Sequence, residues 1–184
     1  SYPHRRVLQK ARSVDDAIRL FQSDFPIVIS SFGVLADAAG DIALLECTTA
    51  RCEVFRPEAD WFAHSNHART ASMMSEDLYR GPDSLDRRWL MERAVESHLG
   101  RIDVARAARI LRDRSGHEFP NASVVGNLFV LNAVVVEPAR GTLWHSDAMQ
   151  PYAPFGAYVP LTIGDASAPS APIPAAISLQ MPPK

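Results

Sequence analysis

Apolar residues recur at helical spacing near the start of the chain. Four of them fall at positions i, i+3, i+4 and i+7, which places them on one face of a helix: Val14, Ala17, Ile18 and Phe21. Ser13 comes directly before this face and is a favourable N-cap residue. The pattern predicts a helix that begins after Ser13, and the segment 5–11 before it is also predicted to be helical.

A block of short apolar runs follows, and turn residues separate them. β-Branched and apolar residues dominate 27–37, 42–47 and 52–55, while Gly, Asp and Thr residues lie between these runs. Residues 61–67 form a candidate fourth run. Short runs joined by tight turns are typical of neighbouring antiparallel strands, so the pattern predicts an antiparallel meander.

Helical and strand patterns alternate again in the second half of the chain. A helix is predicted over 82–99, and Asp103 is the predicted N-cap of a further helix that ends at Gly116. Three apolar runs then predict strands: 122–137, 142–149 and 157–163. Because 122–137 is almost wholly apolar, we expect it to be buried on both faces. The sequence therefore predicts an α+β layered fold, with a sheet packed between another sheet and helices.

Proline is concentrated at the end of the chain, where 8 of the 14 prolines lie after residue 150. Residues 164–184 are rich in Pro and Ala and have little apolar surface to bury. We expect this tail to be extended or disordered, and packing along the surface or onto a second subunit is the alternative. Residues 1–163 are expected to contain the folded part.

Composition and charge exclude several classes of protein. The 184 residues include 19 Lys and Arg against 21 Asp and Glu, a net charge of −2, which argues against nucleic acid or an anionic membrane as a partner. The most apolar run, 124–136, is shorter than the roughly 20 residues of a membrane-spanning helix. Residues 1–6 lack the apolar stretch of a signal peptide. We expect a cytoplasmic protein.

The densest polar cluster is His64-Ser65-Asn66-His67. Two histidines three residues apart could share a metal if the segment were helical, but at a predicted strand end they point to opposite faces. We therefore expect no metal here. Either the cluster is an ordinary polar strand end, or the Asn66 amide donates a hydrogen bond to a developing oxyanion.

The chain has two cysteines, Cys47 and Cys52, which flank a predicted four-residue turn. Facing positions on a hairpin bring such a pair close together, but free thiols are the expectation in a reducing compartment. A self-contained thiol hydrolase is an alternative, in which one cysteine is the nucleophile and His64 or His67 is the base.

Ser84 and Arg87 lie at the start of the predicted helix 82–99. An N-cap serine with an arginine on the first turn accounts for both, and the alternative places both in a pocket near Asn66. Several arginines follow on the next helix and around it: Arg101, Arg106, Arg109, Arg112 and Arg114. We expect a solvated basic face, with phosphate binding as the weaker alternative.

Four segments, in order along the chain, resemble one protein family. They are the glycine turn and following strand at 33–46, the sequence His-Ser-Asn-His at 64–67, the pair Ser84-x-x-Arg87, and the helix end at 110–116. Their order and spacing agree over roughly residues 3–160. The family is the acyl-coenzyme A:6-aminopenicillanic-acid acyltransferase type, also called peptidase family C45, which belongs to the N-terminal-nucleophile (Ntn) hydrolases.

The resemblance implies an αββα sandwich, of which residues 1–163 are the C-terminal portion. It also implies linear amide cleavage or acyl transfer through an acyl-enzyme, without a cofactor. The family nucleophile is a cysteine freed at a chain N-terminus by self-cleavage, and its α-amine acts as the base. By resemblance, Asn66 stabilises the oxyanion, and three residues bind substrate: His67, Ser84 and Arg87.

The family's nucleophile has no counterpart in this sequence. Neither Cys47 nor Cys52 takes its place, and Ser1 precedes a predicted helix rather than the strand on which such a nucleophile lies. We expect the nucleophile on an upstream segment of the same precursor and expect this chain alone to be inactive. The expected substrate of the complete enzyme is a small-molecule amide or an acyl-CoA.

A truncated, non-catalytic module is the alternative function. Half of a sandwich exposes sheet faces and edges. Such a module is expected to homodimerise or to bind a partner.

Overall fold

The computed structural model describes residues 2–23, 30–75, 81–117, 121–162 and 172–175, and in them the chain is α+β. In chain order the helices and strands are α1 Tyr2–Lys10, α2 Val14–Ser23, β1 Ser31–Ala36, β2 Ile42–Cys47, β3 Cys52–Phe55, α3 Ala71–Met74, α4 Pro82–Glu96, α5 Val104–Leu111, β4 Val134–Glu137, β5 Thr142–Ser146 and β6 Tyr158–Thr162. The chain divides into two compact units, Ser1–Phe62 with Asn66–Arg80, and Ala63–Ser65 with Gly81–Lys184.

The first unit is an antiparallel sheet of order β1-β2-β3, and α1 and α2 pack on one of its faces. The predicted meander and the predicted helix at 14 are both confirmed there. Ser13 Oγ accepts a hydrogen bond from the Asp16 backbone N–H at 3.1 Å, as an N-cap does. The buried core combines residues of α1 and α2 with alternate residues of β2: Val7, Ala17, Phe21, Leu45 and Cys47.

Asp37 ties the β1–β2 turn to the start of α2. Its Oδ2 accepts a hydrogen bond from the Val14 N–H at 2.9 Å, and its Oδ1 accepts from the N–H groups of Ala39 and Asp41. These backbone donors, that of Val14 foremost, lower the pKa of the Asp37 carboxyl. Gly40 takes a φ of 96°, a conformation that favours glycine, and so completes the tight turn.

The two cysteines form a disulfide bond, so the prediction of free thiols is wrong. Cys47 ends β2 and Cys52 begins β3, and the turn between them places the two residues directly opposite each other in the sheet register. Their Cα atoms are 4.1 Å apart. A thiol hydrolase that uses either cysteine in this bonded state is therefore excluded.

The predicted fourth strand at 61–67 is also wrong. Residues 61–70 have no strand pairing and bend at Asn66 and His67. Hydrogen bonds that involve side chains hold this segment in place of a strand ladder. Ser65 Oγ donates to the Ser84 carbonyl oxygen, and the Glu46 carboxylate accepts from the Arg69 N–H. The first predicted strand is shorter than expected, since β1 begins at Ser31, and residues 24–29 lie outside the described residues.

The second unit is an antiparallel sheet of order β4-β5-β6 that packs on α5. Its buried core contains Ala108, Ala133, Trp144 and Tyr158. The predicted N-cap of α5 is confirmed, because Asp103 Oδ1 accepts a hydrogen bond from the Arg106 N–H at 2.7 Å.

The predicted long strand 122–137 is wrong in length and in burial. Only Val134–Glu137 is a strand, and turns and bends fill 121–133. Asn127 Nδ2 donates to the Val124 carbonyl at 3.1 Å and its Oδ1 accepts from the Phe129 N–H, so local bonds replace a strand ladder. Val134 and Val136 on one face of β4 are 43% and 50% exposed, so among the described residues this face lacks the expected cover.

The described part of the tail contacts the second sheet. Ile173 pairs with Tyr158 of β6 through two backbone hydrogen bonds. The rest of the predicted tail, 164–171 and 176–184, lies outside the described residues. No described helix combines the length and the apolarity that crossing a membrane requires.

Candidate functional site

Asn66 and His67 are neighbours with opposite surroundings. Asn66 is exposed at a bend, whereas the side chain of His67 is almost completely buried and is followed by the buried Ala68. Both residues belong to the first unit. The amide of Asn66 therefore lies at the surface, and the residues after it anchor the segment in the protein.

Glu46 holds the chain just beyond these residues. The side chain is fully buried on β2. One carboxylate oxygen accepts from the Arg69 N–H at 2.5 Å, and the other accepts from the Thr70 N–H at 2.9 Å and from Thr70 Oγ1 at 2.6 Å. No role for Glu46 was predicted from the sequence, although a lone acid inside the apolar strand Ile42–Cys47 is a signal that could have identified it.

Ser84 is fully buried within the first turn of α4, in the second unit. Ser65 Oγ donates to the Ser84 carbonyl oxygen at 2.5 Å and lies 2.8 Å from Ser84 Oγ. The prediction that Ser84 is the N-cap is wrong, because Pro82 occupies the first helical position and Gly81 is the N-cap. Ser84 joins α4 to the segment 63–65.

Arg87 is one turn further along α4 and is largely buried. Its guanidinium forms an ion pair with Asp83 at 2.8 Å and donates a hydrogen bond to the carbonyl oxygen of Ala122. Arg87 therefore connects α4 to the segment after residue 121. Ser84 and Arg87 both belong to the second unit, whereas Asn66 and His67 belong to the first.

The sequence predicted that Arg112 belongs to a solvated basic face, and for this residue the prediction is wrong. It is the C-cap residue of α5, and its side chain reaches the carbonyl oxygens of Pro154, Gly156 and Pro174 at 3.2, 2.7 and 2.8 Å. Its guanidinium lies 5.1 Å from the ring centroid of Tyr158. Burial raises the pKa of Tyr158 to about 12 and lowers the pKa of Arg112.

A family model described as acyl-coenzyme A:6-aminopenicillanic acid acyl-transferase matches residues 4–147 of the 184 residues. The chain belongs to this acyltransferase family. No curated protein and no solved structure matches the chain. The family assignment predicted from four short segments is thus confirmed, and the matched range contains all four predicted site residues: Asn66, His67, Ser84 and Arg87.

Membership of this family indicates acyl transfer or the related hydrolysis as the general type of activity. The disulfide matters for this chemistry, because it occupies the thiols of Cys47 and Cys52 and the sequence contains only two cysteines. Within the described ranges, no three residues among His, Cys, Asp and Glu cluster as a metal site would require.

Proposed function

We propose that this chain is the oxyanion-holding part of an enzyme that cleaves amides or transfers acyl groups, with Asn66 as the donor. One observation carries the proposal: Asn66 is exposed at a bend, directly before residues that are buried and fastened to the protein. An oxyanion donor must be accessible to substrate and also held in place, since preorganisation is what makes such donors effective.

The proposed reaction passes through an acyl-enzyme. A cysteine thiolate on an upstream segment of the same precursor attacks the acyl carbon, and the carbonyl oxygen becomes an oxyanion that accepts a hydrogen bond from Asn66 Nδ2. The carbon–nitrogen bond breaks, and the leaving amine takes a proton from the α-amine that served as base. Water or a second amine then removes the acyl group from the thiol. The use of both cysteines of this chain in a disulfide supports placing the nucleophile on another segment.

The substrate class proposed is a small-molecule amide or an acyl-CoA. We propose that His67, Ser84 and Arg87 belong to its binding site, because they lie in the segments whose sequence resembles the family. His67 and Ser84 are each almost completely buried within their own unit, so their proposed role is to hold neighbouring residues of the binding site in place rather than to touch the substrate.

The proposed fold of the complete enzyme is the αββα sandwich of the Ntn hydrolases. Residues 1–163 are its proposed C-terminal portion, followed by the tail 164–184. A cytoplasmic location stays a prediction, and the Cys47–Cys52 disulfide speaks against it, because such bonds persist mainly in oxidising compartments.

The test uses the complete precursor, with the upstream segment joined to this chain. We expect thiol-dependent amide cleavage and an acyl-enzyme visible by mass spectrometry. Removal of one oxyanion donor typically lowers kcat by about 10²–10³-fold, so we expect Asn66→Ala to lower kcat by about that factor. Asn132→Ala is the matched control, because Asn132 is another exposed asparagine outside the site.

Two results would contradict the proposal. A complete precursor without thiol-dependent amide cleavage would exclude the activity. Full activity in the Asn66→Ala precursor would instead exclude Asn66 as the oxyanion donor.

The second candidate is a non-catalytic module that homodimerises. The open face of the β4-β5-β6 sheet favours it, because this face presents apolar residues to solvent: Val134, Val136, Val159 and Leu161. Contiguous exposed apolar surface of this kind often marks a protein interface.

A further inference from the structure

Glu46 is a fully buried acid in the apolar strand β2, where acidic residues are rare. It lies on β2 between Leu45 and Cys47, and all three side chains are buried. A buried carboxyl group is unfavourable unless hydrogen bonds replace the water that it loses. An apolar side chain at this position would avoid that cost. The hydrogen-bond partners of Glu46 therefore indicate which role the carboxylate has in the structure.

The three hydrogen bonds described above all come from Arg69 and Thr70. Two donors are backbone N–H groups, so the carboxylate fixes the orientation of successive peptide units and not only a side chain. These donors lie three and four residues after Asn66 along the chain. A carboxylate with two acceptor oxygens suits this task, because it receives neighbouring donors at once.

Other contacts fix the same short segment against the first sheet. The Arg69 guanidinium lies 4.3 Å from the ring centroid of Phe55 on β3. Thr70 is the N-cap residue of α3, and the intervening residues His67 and Ala68 are buried. Asn66 is thus the exposed residue that precedes a segment fastened to the sheet.

We propose that Glu46 is a positioning residue, which fixes segment 66–70 and thereby the amide of Asn66. The inference rests on the proposed function of Asn66. Glu46 contacts no reacting atom in this scheme. Its effect is to restrict the directions in which the Asn66 amide points, and a donor displaced by about 1 Å loses on the order of 10²-fold in rate.

The first experiment measures the segment directly, without any activity. We compare amide hydrogen exchange at Arg69 and Thr70 in this chain and in the Glu46→Gln variant. Glutamine has one acceptor oxygen in place of two, so it cannot receive all three bonds, and we expect exchange at one or both amides to accelerate at least about tenfold.

Glu53→Gln is the matched control, because Glu53 lies opposite Glu46 in the register of β2 and β3. Its side chain is 37% exposed, and its distance to the Arg51 Nε is 3.8 Å. The same chemical change at this position is expected to leave exchange at Arg69 and Thr70 at the wild-type rate.

The second experiment measures kinetics in the complete precursor. We expect Glu46→Gln to lower kcat by about 10–10²-fold with KM within about twofold, because substrate contacts are kept and only transition-state stabilisation is lost. Thr70→Val removes the hydroxyl donor and keeps the shape, so we expect a smaller fall in kcat. Thr70→Ser keeps that donor and should restore the wild-type value. This pair decides the question even if Glu46→Gln does not fold.

The outcomes separate this inference from the proposed function. If the wild-type precursor cleaves no amide, the proposed function fails, and unchanged exchange at Arg69 and Thr70 in Glu46→Gln would overturn the anchoring role as well. If the precursor is active and Glu46→Gln or Thr70→Val keeps wild-type kcat, Glu46 does not position Asn66. A KM effect with kcat unchanged would also overturn the inference.

Discussion

Tyr158 shows how burial changes the chemistry of a single side chain. The phenol is fully buried in the core of the second unit, and its Oη donates a long hydrogen bond of 3.3 Å to the Pro154 carbonyl. Loss of water raises the pKa of Tyr158 to about 12, even though the nearby Arg112 acts in the opposite direction. An exposed or unfolded tyrosine has a pKa of about 10. The folded state therefore keeps this proton over a range in which the unfolded chain loses it.

The raised pKa of Tyr158 makes the stability of the protein depend on alkaline pH. Between pH 10 and about 12 the unfolded state of the wild type binds fewer protons at this residue, so its free energy of unfolding falls as pH rises, by at most about 1.4 kcal/mol per pH unit. Tyr158→Phe removes this contribution. We expect the variant to lose less stability than the wild type across that window in urea unfolding experiments. Parallel declines would contradict the raised pKa.

Two other buried polar residues are stabilised by hydrogen bonds. Glu46 and Ser84 are both fully buried, and both take part in hydrogen bonds that join segments distant in sequence. These two side chains therefore hold together segments that are far apart in the sequence. Asn66 differs from them because its side chain is exposed.

Helices were predicted better than strands in this chain. The helices that begin at Val14 and after Asp103 were located from apolar spacing and capping residues, which are local signals. The run 122–137 failed as a strand because side-chain bonds of Asn127 compete with a sheet ladder. Gly126 adds a second constraint, since a Cβ there would lie 2.9 Å from the Arg112 backbone.

The side chain of Asp103 caps the N-terminus of α5. Asp103 accepts the Arg106 N–H, and replacement of such a cap by alanine costs about 1 kcal/mol. We expect Asp103→Ala to lower the free energy of unfolding by that amount in urea titrations. Asp86→Ala is the control, because Asp86 is an exposed aspartate in the interior of α4. Equal effects of the two substitutions would show that the cap bond contributes nothing.

In the whole molecule, the second sheet has one face whose apolar side chains are exposed among the described residues. Val136, Leu143 and Leu161 are adjacent across the three strands in register, so they form one row on that sheet. The opposite face is covered by α5, through the core that includes Ala108 and Trp144. The non-catalytic alternative predicts that a second copy of the chain covers this exposed face.

This alternative predicts a dimer of the isolated chain. If a second copy covers the open face, light scattering after size exclusion gives twice the mass of one chain, and Val136→Lys returns the protein to a monomer because a charge cannot be buried there unpaired. Val34→Lys is the control, since Val34 is 61% exposed on β1 of the other sheet. A monomeric wild-type chain would contradict homodimerisation.

The α+β class, the apolar faces of α2 and α5, the N-caps Ser13 and Asp103, and the family could all be predicted from the chain alone, because each depends on local spacing or on short motifs in a fixed order. Which side chains pair with one another became visible only in the folded chain. It paired Cys47 with Cys52, turned Arg112 inward, and brought Glu46 to residues 23 and 24 positions further along. Such contacts depend on strand register and on the burial of polar groups, and neither leaves a periodic trace in the chain.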